Sequence, residues 1–150
     1  MEALECPQKF KRLGDFSKYY KQEKRAPFFT VFVGGNHEAS NYLRELYYGG
    51  YAAENIYFMG ASSVMRVTKG DQTVKIGGIS GIEKDYDSMK GYYEEWPYVH
   101  NYKNLKSMYH IREFEVAKLS NYTSPIDLFV SHEWPTVATS QSRPTDRNIQ

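Results

Sequence analysis

Cysteine is nearly absent from this chain, with Cys6 the only one in 150 residues. A single thiol excludes an internal disulfide framework, leaves no disulfide partner within the chain and fits a reducing compartment. Long apolar runs are also missing. No stretch approaches the ~20 apolar residues that a spanning helix needs, and no basic-then-apolar leader opens the sequence. The expectation is a protein of the cytosol or nucleus with no membrane contact. Neither sign of charge dominates, since 19 Lys and Arg face 18 Asp and Glu for a net charge of +1. Global charge therefore points to no class of partner. What is abundant is aromatic: 16% of residues, with 14 tyrosines. At 41% hydrophobic and 25% charged, the composition is that of one globular domain able to bury a core.

The apolar run Phe28-Phe29-Thr30-Val31-Phe32-Val33 has the length and β-branched, aromatic content of a buried strand. It ends in Gly34-Gly35 and then Asn36-His37-Glu38. Glycines there allow a sharp turn and close backbone approach. Open α/β sheets bind ligands at the carboxyl ends of their strands. The shorter run Ile126–Val130 repeats the design and delivers His132 just past its end. The pair suggests two imidazoles on one edge of a sheet, facing a metal or a phosphate.

Elsewhere the patterning predicts a helix over 16–24 with Asp15 as its cap, a short helix over 39–46 with Glu38 near its amino end, and a strand over 55–59. Arms at 64–68 and 73–76 flank Lys69-Gly70-Asp71-Gln72 as a hairpin. A helix over 108–119 with Ile111, Phe114 and Leu119 inward follows. Residues 9–25 hold seven basic side chains against Asp15 and Glu23, either a solvated face or a phosphate-facing one. Residues 83–107 show neither hydrophobic period and read as a long excursion carrying Tyr86, Tyr92, Tyr93, Trp96, Tyr98 and Tyr102. Loops this long are usually functional or disordered, and so many aromatics argue against disorder. Rings in a loop stack on bases, at ~1–3 kcal/mol per base, or simply pack the loop onto the domain. The polar stretch 136–150 reads as a disordered tail.

Imidazole and amide oxygen are both competent ligands for divalent first-row metals. A neutral amide leaves positive charge on the metal, which suits an anionic substrate. Phosphodiesters repel hydroxide, and a pair of metal ions both generates the nucleophile and clamps the attacking and leaving oxygens. A neighbouring imidazole can then protonate the leaving alkoxide, typically worth on the order of 10²–10⁴-fold. His110, within Tyr109-His110-Ile111-Arg112, reads as a structural histidine in a helix turn.

Six stretches fall in one order: Val33-Gly34-Gly35-Asn36-His37-Glu38-Ala39-Ser40-Asn41, Leu46-Tyr47-Tyr48-Gly49-Gly50, Ala53–Gly60, Ile76–Ile82, Ser107–Arg112 and Ser131-His132-Glu133-Trp134-Pro135. Together they closely resemble the RNA lariat debranching enzymes, a branch of the calcineurin-like metallophosphoesterases. The resemblance implies an α/β fold, a four-layer sandwich of two mixed sheets inside helices. It implies hydrolysis of the 2′–5′ phosphodiester at the branch point of excised introns, with branched intron RNA as partner. The cofactors implied are divalent ions (Fe, Zn or Mn) and the location implied is nuclear, or nuclear and cytoplasmic. By resemblance Asn36 and His132 would ligate metal, His37 would contact the scissile phosphate and protonate the leaving 2′-oxygen, and Glu133 would take no metal. Residues 83–107 would correspond to the family's lariat-recognition loop.

The departures from the family pattern weigh as much. Its Asp-or-Cys-x-His turn and its Gly-Asp strand end, both expected before Met1, are missing. The His-x-His pair expected after the His132 strand is replaced by the polar tail. Two ligands cannot hold a pair of divalent ions against water with useful affinity. The expectation is a partial catalytic domain over 1–135, truncated at both ends, inactive alone and left with exposed sheet edges. The alternative is a non-catalytic RNA-binding module using the basic helix and the aromatic loop.

Overall fold

A computed structural model describes residues 7–12, 14–94 and 102–135. It contains two mixed three-stranded sheets with short helices between and beside them. The first sheet has the order β1-β3-β2 and is built from β1 (Thr30–Phe32), β2 (Gly50–Ala53) and β3 (Ile56–Phe58). β1 runs parallel to β3, and β2 antiparallel to it. The second sheet has the order β4-β5-β6, from β4 (Ser62–Lys69), β5 (Gln72–Ile79) and β6 (Leu128–Ser131). β4 and β5 form the expected hairpin, and β6 lies parallel to β5. This α/β layout of mixed sheets is compatible with part of a metallophosphoesterase sandwich.

The sheets are joined where glycine permits close approach. A side chain at Gly78 would meet Met59 Sδ at 2.7 Å and Val33 Cγ1 at 3.1 Å. Met59 and Phe58 are among the most deeply buried apolar side chains, so the core sits at this junction. Backbone bonds continue the seam. Met59 N–H donates to the Phe32 carbonyl at 3.0 Å, and Gly81 N–H donates to the Gly34 carbonyl at 2.8 Å.

Several sequence expectations need correction. Phe28 is 78% exposed and β1 is only three residues long, so the run over 28–33 is not a buried strand. β1 and β6 belong to different sheets, so the two histidine-bearing turns do not share one sheet edge. β2 lies where the sequence predicts no strand. The first helix, α1 (Phe16–Tyr20), stops four residues early. Its Asp15 caps nothing and instead takes Lys24 Nζ at 3.0 Å and Lys18 Nζ at 3.2 Å. α2 (Ser40–Glu45) lies as expected.

The excursion is more ordered at its root than composition implied. It holds α3 (Asp85–Ser88) and α4 (Tyr102–Ser107). Trp96, Tyr98 and the side chain of Tyr102 lie outside the described residues, as do the tail 136–150 and Cys6. Helix α5 (Glu113–Ser120) replaces the longer helix expected over 108–119. Of the residues expected inward, Ile111 and Leu119 are half-buried but Phe114 is 63% exposed, and Glu115 is fully buried in its place. A buried carboxylate is tolerable only with partners, and Glu115 accepts from the Tyr47 and Ser62 hydroxyls and, at 2.7 Å, from Lys118 Nζ. No helix among the described residues is long and apolar enough to cross a membrane.

Candidate functional site

Three strands end at one place. β1 runs into Gly34-Gly35-Asn36-His37, β5 into Ser80-Gly81 and β6 into His132, and Ser80 fastens the first two. Its hydroxyl accepts from Gly34 N–H at 3.0 Å and donates to the Gly60 carbonyl at 2.6 Å. The third is fastened by contact. A Cβ on Gly35 would lie 2.3 Å from both Cδ2 and Nε2 of His132, so the imidazole edge rests on the Gly35 backbone. The residue that follows Gly35 is Asn36. The two sheets thus bring the Asn36-His37 turn and His132 to a common rim, although neither sheet does so alone.

The turn is closed by Glu38. One of its carboxylate oxygens accepts from Gly35 N–H at 2.8 Å and from His37 N–H at 3.2 Å. This is a local anion-on-amides arrangement rather than the expected charge at the helix start. It fixes the backbone on both sides of Asn36. On the opposite strand end, Glu133 accepts from Glu83 N–H at 2.7 Å, and Ser131 Oγ donates to the Glu133 carbonyl at 2.8 Å. Glu133 therefore ties the root of the excursion to the turn carrying His132. Asn36 is half-buried, and His37 and His132 are exposed, an arrangement open to a large substrate. Behind the rim lies a cavity of about 40 Å³ lined by Gly34, Gly35, Ser40, Arg44 and Tyr92 among others.

The aromatic excursion separates into two kinds of ring. Tyr86 and Tyr93 are exposed, at 65% and 50%. Tyr92 packs inward between two guanidinium groups, Arg44 at 4.0 Å and Arg112 at 4.7 Å from its ring centre. Burial, and then the Glu115 charge, push its phenol up to about 12, with Arg112 and Arg44 pulling the other way. Tyr92 is therefore a packing residue, whereas Tyr86, which meets the His110 ring edge-on at 5.6 Å, and Tyr93 stay exposed. His110 is buried and bonds Asp87 Oδ2 through Nδ1 at 2.7 Å. It is structural, as its sequence context suggested, but it sits in a bridge with Ile82 ahead of α5 rather than in a helix turn. Nothing in the sequence marked Asp87 or Arg112 as its companions.

Against a divalent metal site, the residues at the rim offer one amide oxygen and one imidazole, a chemically suitable pair. Among the described residues no three His, Cys, Asp or Glu side chains converge as a metal site would require. The set fits part of such a site.

Comparison with known proteins gives the family context. No family model matches the chain. The chain is 57% identical over 133 residues to the "Lariat debranching enzyme" of Schizosaccharomyces pombe, covering 89% of this chain and 27% of that protein. It is homologous to lariat debranching enzymes. The Homo sapiens enzyme of the same name is 47% identical over 135 residues, covering 90% of this chain and 24% of the relative. For the Arabidopsis thaliana enzyme the figures are 46% over 135 residues, 90% and 31%. The chain thus spans about a quarter to a third of the length of these debranching enzymes.

Proposed function

We propose that this chain supplies the substrate-facing rim of a lariat debranching phosphodiesterase that opens the 2′–5′ linkage of branched intron RNA. The convergence of the Gly35-Asn36-His37 turn and His132 from two different sheets carries the reading, and the name shared by its relatives supports it. Asn36 and His132 would be two ligands of a divalent ion, which when bound supplies Lewis-acid activation of a phosphodiester oxygen. His37, exposed and adjacent to Asn36, would hold the proton delivered to the leaving 2′-oxygen. Gly35 keeps the backbone thin enough for His132 to reach the rim, and Glu38 keeps the turn from relaxing. Tyr86 and Tyr93 would stack on bases beside the branch. Two ligands do not hold a metal pair, so the chain by itself should turn over little or no substrate. Its setting would be the nucleus, where introns are excised.

A hybrid enzyme tests this reading. Residues 1–135 replace the matching stretch of the Schizosaccharomyces pombe relative, and cleavage of a branched oligonucleotide is followed with added manganese. The hybrid should debranch, and Asn36→Ala or His37→Ala should cut turnover by on the order of 10²-fold or more, to a rate still measurable, while leaving it folded. A folded hybrid without turnover refutes the proposal. If the chain alone then still binds unbranched and branched RNA equally, the non-catalytic RNA-binding module is the better account.

A further inference from the structure

A column of alternating cations and rings runs behind the rim, and no reading above gives it a function. Lys118 Nζ lies 5.5 Å from the centre of the Tyr47 ring. The Arg44 guanidinium lies over both Tyr47, at 4.5 Å, and Tyr92, at 4.0 Å. The Arg112 guanidinium lies 4.7 Å from the centre of the same Tyr92 ring. The rings of Tyr47 and Tyr92 meet edge-on, 5.6 Å apart at 78°. The column therefore passes from α5, through the end of α2, into the excursion, and returns to the chain just before α5.

Both ends are anchored by buried charge. Glu115 holds Tyr47 and Lys118 at one end. At the other, Arg112 is only 1% exposed and donates to Ser107 Oγ at 2.6 Å. It also lies 3.9 Å from Asp87 and 3.8 Å from Glu94. Among the described residues, both carboxylate oxygens of Glu94 and Nε of Arg112 are buried without hydrogen bonds. The opposite charges of Glu94 and Arg112 thus face each other out of water, where a charge is tolerable only when paired. Asp87, Tyr92 and Glu94 all belong to the excursion, whereas Arg44 belongs to the helix that directly follows the Asn36-His37 turn.

We infer that Arg44 is a positioning residue, clamping the root of the aromatic excursion to α2 through Tyr92, so that Tyr86 and Tyr93 are held at a set distance from the Asn36-His37 turn. The clamp works by geometry as much as charge. A planar guanidinium can lie over two perpendicular rings at once, whereas an ammonium is a compact, strongly hydrated point charge. The inference rests on the proposed function for the RNA that the rings meet, but not for the clamp itself.

The test uses the full chain as wild type, Arg44→Lys and Arg44→Ala, with hydrogen exchange read over residues 84–94 and over the β4–β5 hairpin. Affinity for a branched oligonucleotide with a non-cleavable linkage is measured alongside. Arg44→Ala should speed exchange over 84–94 on the order of tenfold and leave the hairpin unchanged. Arg44→Lys should recover thermal stability without recovering protection of 84–94 or RNA affinity. Unchanged exchange over 84–94 in Arg44→Ala overturns the clamp, as does full rescue of protection by Arg44→Lys. Loss of protection in the hairpin as well means general unfolding, and also counts against a clamp. If the wild-type chain binds no RNA, the proposed function fails, and exchange alone decides the clamp.

Discussion

Gly35→Ala is the substitution most directly aimed at the rim. The new Cβ would stand 2.3 Å from Cδ2 and Nε2 of His132, where ordinary contact needs about 3.4 Å or more. The imidazole must therefore retreat by about 1 Å, a misplacement that costs on the order of 10²-fold where a group has to meet reacting atoms. Stability should barely change. Gly35 does not have the positive φ that makes alanine strained, and His132 is an exposed side chain free to swing. Displacing an exposed side chain without moving backbone should cost within about 0.5 kcal/mol, even though Gly35 itself is buried. Gly81→Ala is the contrast. There φ is +99° and the new Cβ would meet the Tyr109 carbonyl oxygen at 2.1 Å, so backbone must move and about 3 kcal/mol or more is lost. Thermal melts of the chain, the imidazole resonances of His132 and debranching by the hybrid enzyme give the three readouts. Gly35→Ala should shift the His132 resonances and cut hybrid turnover with an unchanged melt. An unmoved His132 signal, or full activity despite a displaced ring, refutes the argument that the bare backbone at 35 exists for His132.

Three further outcomes follow from the same geometry. Burial pushes the Asp87 carboxyl up, but hydrogen bonds from His110 and Lys90, with the Lys90 and Arg112 charges, more than offset it, and its pKa falls below the ordinary 3.8. Stability gained from Asp87 is therefore present above that unfolded-state value and is lost as pH falls through the lower folded value. Asp87→Asn should cost about 3 kcal/mol near neutral pH, and urea unfolding of the two proteins should converge in strong acid. Tyr47→Phe removes one of the donors to buried Glu115, leaving Ser62 and Lys118, and should lower stability by about 1–2 kcal/mol in chemical denaturation. Gly78→Ala pushes against Met59 and Val33 at the seam between the sheets, and should cost about 1–3 kcal/mol with a lowered melting temperature.

What could be read without coordinates was local. The hairpin was legible because its arms and its Gly70-Asp71 turn agree, and Gly70 takes the positive φ such a turn needs. β2 was not legible because Gly50–Ala53 offers little apolar mass, and its pairing with β3 shifts register between Tyr51 and Ala53. The inward turn of Glu115 in place of Phe114 was hidden for a different reason. Periodicity assigns Phe114 inward, and only the hydroxyls of Tyr47 and Ser62, distant in sequence, make Glu115 the inward residue. The apolar run before Gly34 has a buried strand's composition, yet Phe28 and Phe29 face solvent. Each half of the rim was legible as a strand end with an imidazole just past it. Their meeting was not, since it depends on how two sheets pack through Gly78, Ser80 and Gly35. The cation–ring column was equally silent, because Arg44, Tyr92 and Arg112 are scattered along the chain.

The central claim is that Asn36 and His132 serve one site, and a double-mutant cycle in the hybrid enzyme measures that directly. Groups acting as a unit give grossly non-additive losses. If they share the site, Asn36→Ala with His132→Ala should debranch no more slowly than the more damaged single variant. Losses that multiply, as for two independent positions, would contradict it.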